Sequence, residues 1–437
     1  MLVAAALLSA VLCRDTAAQN VLASFNSTNG ACPNAGLILS GSTLYGTTQI
    51  GGAPGGIQGY GTVFSVPAGG GPVTTLTMFE WNNGANPRAG LILSGSTLYG
   101  TTSSWGSVFS MPVGGGPVTT LTSFDGDMGA DPGAALILSG STLYGTTCDG
   151  GAYYLGTVFS VPVGGGPVTT LASFNGTNGS NPFGGLILSG SNFYGTTEKG
   201  GAHNFGTVFA IPAWGGPVTT LASFNGANGE YPEGELTLSG STLYGTTSEG
   251  GPYNAGTVFS IPIGGGSVNT LAWFSGGNGA YPHGGLILSG STLYGTTYQG
   301  GAYGNNPGAH EYGYGTVFSI TPSAGGWVNT LASFNGANGE FPGGGLTLSG
   351  STLYGTTEKG GEHGYGTVFA LNLGNPIPLN IQVNSSGVVL SWDDPGSQCS
   401  LQTAPTLTSQ FTNIPGATSP YTNSITGAQQ YFQLIGN

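Results

Sequence analysis

One sequence feature restricts the possible folds more than any other: a unit of about fifty residues that occurs seven times. The tyrosine of its Tyr-Gly-Thr-Thr motif recurs every 45 to 60 residues, at Tyr45, Tyr99, Tyr144, Tyr194, Tyr244, Tyr294 and Tyr354. A period of this length is typical of solenoids, propellers and other repeat arrays. Each copy has four short runs rich in Val, Thr, Leu and Phe between glycine-rich turns, which predicts four strands. Four strands per unit indicate a propeller blade, because one coil of a parallel β-helix needs far fewer residues.

The two ends of the repeat array are offset by one strand. The seventh copy stops after its third strand, and a counterpart of the missing fourth strand precedes the first copy, in residues 21–25. A ring gains from this offset, because the N-terminal strand can complete the last blade and leave no unpaired edge. The sequence therefore predicts an all-β fold, a seven-bladed β-propeller over residues 19–374 that is closed by the N-terminal strand.

A different segment follows the repeats. In residues 376–437, the runs at 381–383, 388–392, 400–403, 411–414 and 431–434 have the character of short strands between turns. They predict a small C-terminal β-sandwich-like module, and Val389-Leu390-Ser391-Trp392 is weakly similar to a fibronectin type III strand. A generic small β domain is the alternative interpretation.

Residues 1–18 have the features of a signal peptide. An apolar run covers residues 2–13, and Thr16-Ala17-Ala18 precedes Gln19 as a small-residue cleavage site. The run is too short to cross a membrane, and no other segment predicts a membrane span. We therefore expect an exported protein, extracellular or at the cell surface, with a buried N-terminal segment as the alternative.

The distribution of charge predicts where a ligand would bind. Only 5% of the residues are charged, and the net charge of −13 argues against nucleic acid and anionic membranes as partners. The acidic residues of the repeats all fall in the longer loops, together with all four histidines. Alternation of strand direction brings these loops to one end of the ring, whereas the Ser-Gly-Ser and Pro-x-Gly-Gly-Gly-Pro turns lie at the other. We expect the ligand face at the charged end.

The repeat also resembles a known family. Tyr-Gly-Thr-Thr, Gly-Gly, Gly-Thr-Val-Phe, Thr-Leu-x-x-Phe and Asn-Gly-x-x-Pro recur in this order over residues 21–373. The pattern resembles the Gloeobacter–Verrucomicrobia (GloVer) tandem repeat of exported bacterial proteins. The tail is similar to C-terminal β segments of verrucomicrobial surface proteins. The resemblance implies an extracellular location and brings no catalytic residues with it.

Four aspartates of the third copy are candidate metal ligands: Asp125, Asp127, Asp131 and Asp149. Carboxylates that alternate with glycine can coordinate Ca²⁺ through oxygen, and such a site predicts that calcium raises the melting temperature. The other copies mostly carry asparagine here, and Asn-Gly and Asp-Gly are turn residues that tolerate positive φ. The sequence therefore allows two interpretations of these aspartates, a calcium site and an ordinary turn.

Two further loops contain candidate ligand-binding residues. Glu230, Glu233 and Glu235 bring three carboxyl groups to one loop, and a pair of carboxylates a few Å apart can hydrolyse a glycosidic bond. A solvated acidic loop is the alternative. The longest loop carries Tyr303, His310, Glu311, Tyr312 and Tyr314. Its aromatic rings can stack on sugars, or the loop can pack on its own side chains.

The motifs of common catalytic sites do not occur: there is no Gly-x-Ser-x-Gly elbow, no His-Glu-x-x-His and no phosphate loop. We therefore expect a non-enzymatic binding or surface-structural module, with an extracellular glycan or a surface protein as its partner. The alternative is a carbohydrate-active enzyme, a hydrolase or lyase, that uses the same loop face. An enzyme needs a unique cluster that breaks the repeat symmetry near the central channel, whereas a scaffold tolerates near-identical blades.

Overall fold

The computed structural model describes residues 18–53, 59–104, 106–303, 313–322, 326–374, 380–384, 387–392, 399–404, 412–423 and 431–436. Seven four-stranded antiparallel sheets, one for each repeat copy, form the blades of a seven-bladed β-propeller. The part of the chain described contains strands and no helices. Within it, no helix has the length and hydrophobicity that crossing a membrane requires.

The blades are numbered one to seven in chain order, and each has four strands rich in β-branched and aromatic residues. The inner strands are β2 (Ile38–Ser40), β6 (Ile92–Ser94), β10 (Ile137–Ser139), β14 (Ile187–Ser189), β18 (Thr237–Ser239), β22 (Ile287–Ser289) and β26 (Thr347–Ser349). The second strands are β3 (Thr43–Thr48), β7 (Thr97–Thr102), β11 (Thr142–Thr147), β15 (Asn192–Thr197), β19 (Thr242–Thr247), β23 (Thr292–Thr297) and β27 (Thr352–Thr357). The third strands are β4 (Thr62–Pro67), β8 (Ser107–Pro112), β12 (Thr157–Pro162), β16 (Thr207–Pro212), β20 (Thr257–Pro262), β24 (Thr316–Ile320) and β28 (Thr367–Asn372). The outer strands are β5 (Thr74–Met78), β9 (Thr119–Ser123), β13 (Thr169–Ser173), β17 (Thr219–Ser223), β21 (Asn269–Trp273), β25 (Asn329–Ser333) and β1 (Ala18–Ser24).

The seventh blade takes its outer strand from the start of the chain. β1 pairs antiparallel with β28, with Ala18 opposite Asn372 and Ser24 opposite Thr367. The backbone N–H of Phe25 then donates to the carbonyl of Gly366 at 3.0 Å. The sheet order of this blade is therefore β1-β28-β27-β26, with residues from both ends of the repeat array.

The hydrophobic core lies between the blades. Each buried cluster combines side chains of two neighbouring blades, so both faces of every sheet are covered. At each junction two phenylalanines meet edge to face, with ring centroids 4.9–5.1 Å apart and ring planes at 68–74°. The pairs are Phe25–Phe64, Phe79–Phe109, Phe124–Phe159, Phe174–Phe209, Phe224–Phe259, Phe274–Phe318 and Phe334–Phe369.

The Tyr-Gly-Thr-Thr motif serves this packing. A Cβ on Gly195 would lie 2.7 Å from Cζ of Phe209, so only glycine allows the ring to approach the second strand. The following threonine, Thr196, donates from Oγ1 to the carbonyl of Gly234 in the next blade at 3.3 Å. Equivalent bonds of 2.9–3.5 Å occur at all seven junctions. They fix the backbone that enters the inner strand of each neighbouring blade.

Beyond the blades, the described residues form two three-stranded sheets. One contains β29 (Asn380–Asn384), β30 (Gly387–Ser391) and β33 (Tyr421–Asn423), and the other β31 (Cys399–Ala404), β32 (Thr412–Asn413) and β34 (Tyr431–Gly436). Leu390, Trp392, Leu401 and Phe432 are buried here. The expected signal peptide falls almost entirely in residues 1–17, outside the described residues.

Candidate functional site

The inner strands surround a central channel with a cavity of about 850 Å³. At one end, the loop between blades is bridged to the loop after the second strand, as where Ser180 N donates to Lys199 O at 2.8 Å. At the other end, the two short turns meet, as where Ala213 N donates to Ser191 O at 2.9 Å. The charged loops therefore share one end of the ring, and we call its opening the channel mouth.

A strained turn leads into the channel mouth in every blade. The residue before the interblade proline has a left-handed backbone, with φ of 54–60° at Cys32, Asn86, Asp131, Asn181, Tyr231, Tyr281 and Phe341. This conformation is unfavourable for side chains such as tyrosine and phenylalanine. Because the strain recurs whatever the residue, it belongs to the turn that directs the next residues into the channel.

The residue after the proline lines the channel mouth and differs between blades. These residues are Asn34, Arg88, Gly133, Phe183, Glu233, His283 and Gly343. The carbonyl of the residue that follows each of them is held by the threonine bonds between blades, so they stand on a fixed backbone. The channel mouth thus combines a rigid, repeated frame with a set of side chains that breaks the repeat symmetry.

Glu233 and His283 form a pair across neighbouring blades. Nδ1 of His283 lies 2.5 Å from Oε2 of Glu233, and Ser248 donates from Oγ to the other carboxylate oxygen at 3.1 Å. The side chain of Glu233 is 20% exposed and that of His283 is 34% exposed, so both reach the channel. A carboxylate–imidazole pair of this kind can accept a proton from a bound molecule or bind its hydroxyl groups.

An aromatic wall continues from this pair. The ring of Tyr298 meets the ring of His283 edge to face at 5.0 Å and stacks on Phe341 at 4.9 Å. Its hydroxyl donates to Oε2 of Glu358 at 2.7 Å. Burial, followed by this hydrogen bond, raises the pKa of Tyr298 above its usual range, so the phenol keeps its proton. The wall presents ring faces and carboxylate oxygens side by side.

Glu235 lies two residues beyond Glu233 along the channel wall. The other six blades have only glycine or alanine at this position: Gly36, Gly90, Ala135, Gly185, Gly285 and Gly345. The side chain reaches channel water, yet protein surrounds it, and this confinement raises the pKa of its carboxyl group to about 7. A carboxyl group that is half protonated near neutral pH can donate a hydrogen bond or a proton to a ligand.

Blade two contributes a cation on the far side of the ring. Nε and Nη2 of Arg88 lie 2.8 and 3.2 Å from the Gln49 amide oxygen when that amide is oriented to accept from them. Both side chains line the channel. The channel mouth therefore offers a guanidinium group on one side and carboxylates with an imidazole on the other.

Residues 103–309 match the family model of the Gloeobacter/Verrucomicrobia repeat. This part of the chain therefore carries the Gloeobacter/Verrucomicrobia repeat. The repeats that the model covers include Phe183, Glu233 and His283 of the channel mouth. No curated protein matches the chain.

Solved structures show distant likeness. A chain of a nidogen/laminin complex is 17% identical, with 60% of this chain and 87% of that chain covered and a TM-score of 0.39. A candidate 6-phosphogluconolactonase from Bacteroides uniformis is 13% identical, with 90% and 100% covered and a TM-score of 0.47. A candidate TolB from Agrobacterium tumefaciens is 15% identical, with 68% and 92% covered and a TM-score of 0.40. Likeness at this level says nothing about the activity of the repeat protein.

The four aspartates of blade three lie in two neighbouring loops, which the backbone of Ala130 and Asp149 joins. Asp125 accepts the backbone N–H of Met128 at 3.1 Å, and Asp149 accepts from Nδ2 of Asn181 at 3.2 Å. Burial raises the pKa of Asp131. Across the described parts of the chain, no group of three or more His, Cys, Asp or Glu residues is arranged to hold a metal ion. The calcium site, with Asp127 as its fourth ligand, stays a prediction.

The remaining predicted residues are spread over the charged end. Glu230 pairs through its backbone with Glu249 rather than lining the channel, and burial and Glu249 raise the pKa of its carboxyl group. Tyr303 is 39% exposed, and Tyr314 packs against the core of blades six and seven. His310, Glu311 and Tyr312 lie outside the described residues.

Sequence reasoning singled out Glu233 and the neighbouring Glu235 but missed Arg88, Phe183 and His283, the other large side chains that follow the prolines. A usable signal was present: one position varies from glycine to arginine inside the nearly constant segment from proline to leucine. The partners Tyr298 and Glu358 were missed as well, because they belong to the loops that follow the second strands.

Proposed function

We propose that this repeat protein is an exported, non-enzymatic binding module whose ligand lies at the channel mouth. One observation carries the proposal: the residue after the interblade proline differs between blades at the channel mouth, although the backbone that carries it is the same in every blade. A purely structural ring needs no such variety. Export is supported by the signal-peptide features of residues 1–18.

The proposed ligand is an extracellular glycan. Its hydroxyl groups would bind the carboxylates, imidazole and guanidinium of Glu233, Glu358, His283 and Arg88, and its ring faces would lie against Phe183. Recognition of this kind combines a few polar groups with an apolar wall in a preformed cavity. The cavity of about 850 Å³ is within the size range of small-molecule sites.

A glycan-array screen of the chain, followed by calorimetric titration of the best oligosaccharide, tests the proposal. The double variant Glu233→Gln with His283→Ala should weaken binding at least tenfold, because both polar groups face the channel. Glu230→Gln is the matched control, since it removes a carboxylate from the same loop but away from the channel. Silence across the array would favour a structural role, and equal binding by both variants would place the glycan away from the channel mouth.

A second candidate function, a carbohydrate-active hydrolase at the same site, is favoured by one observation. Blade five places two carboxyl groups in different surroundings: Glu235 is confined and has a pKa of about 7, and Glu233 pairs with His283. Glu235 would protonate the glycosidic oxygen as the bond breaks, and Glu233 would take the proton of the attacking water. Release of reducing ends from a bound glycan, lost in Glu235→Gln while binding persists, would establish this activity.

We also infer that β1 closes the ring. The Phe25–Phe64 pair matches the six other interblade pairs in distance and angle, and Thr356 of blade seven donates to the carbonyl of Ala35 in blade one at 2.9 Å. Blades seven and one therefore meet as all other neighbours do. Residues 376–437 are proposed to be a separate sandwich-like module built from the two small sheets.

A further inference from the structure

The outer rim of blade five differs from that of four other blades at two coupled positions. In four blades, a serine at the end of the outer strand accepts the backbone N–H of the residue after the Gly-Gly pair, at 3.2–3.4 Å. These bonds join Ala152 to Ser173, Ala202 to Ser223, Ala302 to Ser333 and Glu362 to Ser24. In blade five, Trp273 occupies the serine position and Pro252, which has no N–H, occupies the donor position.

The two replacements compensate for each other. Because acceptor and donor are both lost, no polar group of the missing bond is left unpaired. The loop keeps its shape: Gly251 N donates to Gly226 O at 2.8 Å and Gly256 N to Gly250 O at 3.2 Å, as in neighbouring blades. We call the hydrogen bond between the serine and the backbone N–H the clamp. In blade five, apolar side chains replace the clamp while the loop backbone keeps its shape.

This apolar surface is exposed. Trp273 is 45% and Tyr253 65% accessible, and Pro252, next to Tyr253 in the loop, is exposed as well. The indole rests on Gly251, where an added Cβ would come within 3.0 Å of Cδ1. We call Pro252, Tyr253 and Trp273 the rim platform. The indole has the backbone of Gly251 beside it, and all three side chains are exposed to solvent.

We propose that the rim platform is a second binding site, which stacks a sugar ring of a neutral polysaccharide. Flat, supported aromatic faces suit the apolar faces of pyranose rings. The same blade carries Glu230 and Glu249 in its outer loops, and the chain has a net charge of −13, which disfavours acidic polymers. The site is separate from the channel mouth and does not depend on ligand binding there.

Affinity electrophoresis tests the proposal, with native gels that contain mixed-linkage β-glucan, xylan, galactomannan or starch. The double variant Trp273→Ser with Pro252→Ala restores the clamp that four other blades use, so the loop should keep its fold while the platform is lost. The chain should be retarded by at least one of these polymers, and the double variant should bind it about tenfold more weakly.

Two controls make the result specific. Trp214→Gly removes a tryptophan that is 74% exposed at the opposite end of the ring, and it should leave retardation unchanged. The rim double variant is also compared in a chain that carries Glu233→Gln with His283→Ala, where the retardation that remains does not come from the channel mouth. Absence of retardation by all four polymers, or equal retardation of the chain and the rim double variant, overturns the proposal.

Discussion

The junctions between blades and the channel mouth show opposite uses of the same repeat. All seven junctions have the same phenylalanine pair, with ring centroids that differ in separation by only 0.2 Å between 4.9 and 5.1 Å. Around the channel mouth, the residue after the proline ranges from glycine to arginine. Packing requires repetition, because each blade must fit the next one. Recognition requires differences, because seven identical side chains would present no unique site.

The comparison also separates stability from function. A change at a junction removes buried contacts, whereas a change at the channel mouth removes side chains that face solvent. We therefore expect substitutions in the two regions to affect different measurements, unfolding in one and binding in the other. The following predictions test this division from the largest expected effect to the smallest.

Removal of β1 should have the largest effect. Deleting residues 18–24 leaves β28 with a bare edge and removes Ala23 from the core between blades seven and one. The loss should be comparable with the total stability of a domain, about 5–15 kcal/mol, because both the sheet and the ring are interrupted. Urea unfolding followed by tryptophan fluorescence measures it. Val21→Ala, at an exposed position of β1, is the control, and an unchanged midpoint in the deletion would disprove closure by this strand.

The substitution Phe209→Ala should lower the free energy of unfolding by about 3–5 kcal/mol, because this ring is fully buried and packs against Phe174 and Gly195. Phe183→Ala in the same blade removes an identical side chain from the channel mouth, where it is only half-buried. Phe183→Ala should lower the free energy of unfolding by less than about 1 kcal/mol. Chemical denaturation of both variants measures the difference, and similar losses would remove the distinction between junctions and channel mouth.

Most of the fold could be predicted from the sequence because the repeat states its strand pattern seven times. Each copy predicts four strands, and the seven four-stranded sheets confirm this. The site was harder to predict. Glu233 and His283 are separated by 50 residues and Tyr298 and Glu358 by 60, so only the packing of neighbouring blades brings them together. The confinement that raises the pKa of Glu235 likewise depends on a neighbouring blade, because its carboxyl group lies beside Gly185.

Glu235→Gln should change the pH dependence of stability. The pKa of Glu235 is about 7 in the folded chain and near 4.5 when unfolded, so the folded state holds a proton that the unfolded state releases between these values. Stability should therefore fall as pH rises from about 4.5 to 7 and level off above. Channel water screens the charge of the carboxylate. The free energy of unfolding of the glutamine variant should therefore exceed that of the parent chain by about 1 kcal/mol at pH 8 and should equal it at pH 4. If the free energy of unfolding changes with pH in the same way in both proteins, Glu235 is not confined.

The substitution Asp125→Asn should have the smallest effect, and it separates the two interpretations of the aspartate turn. Asn225 occupies the equivalent position in blade five and accepts the N–H of Asn228 at 3.0 Å, as Asp125 accepts that of Met128. If Asp125 only caps a turn, the variant should stay within about 0.5 kcal/mol of the parent chain, with or without millimolar calcium. If it binds Ca²⁺, calcium should raise the melting temperature of the parent chain, and the variant should lose part of that rise because one anionic ligand is gone.

Scanning calorimetry with calcium and with a chelator decides between the two interpretations of the aspartate turn. Since an asparagine already forms this turn elsewhere in the ring, any calcium-dependent difference between the two proteins belongs to the metal rather than to the fold.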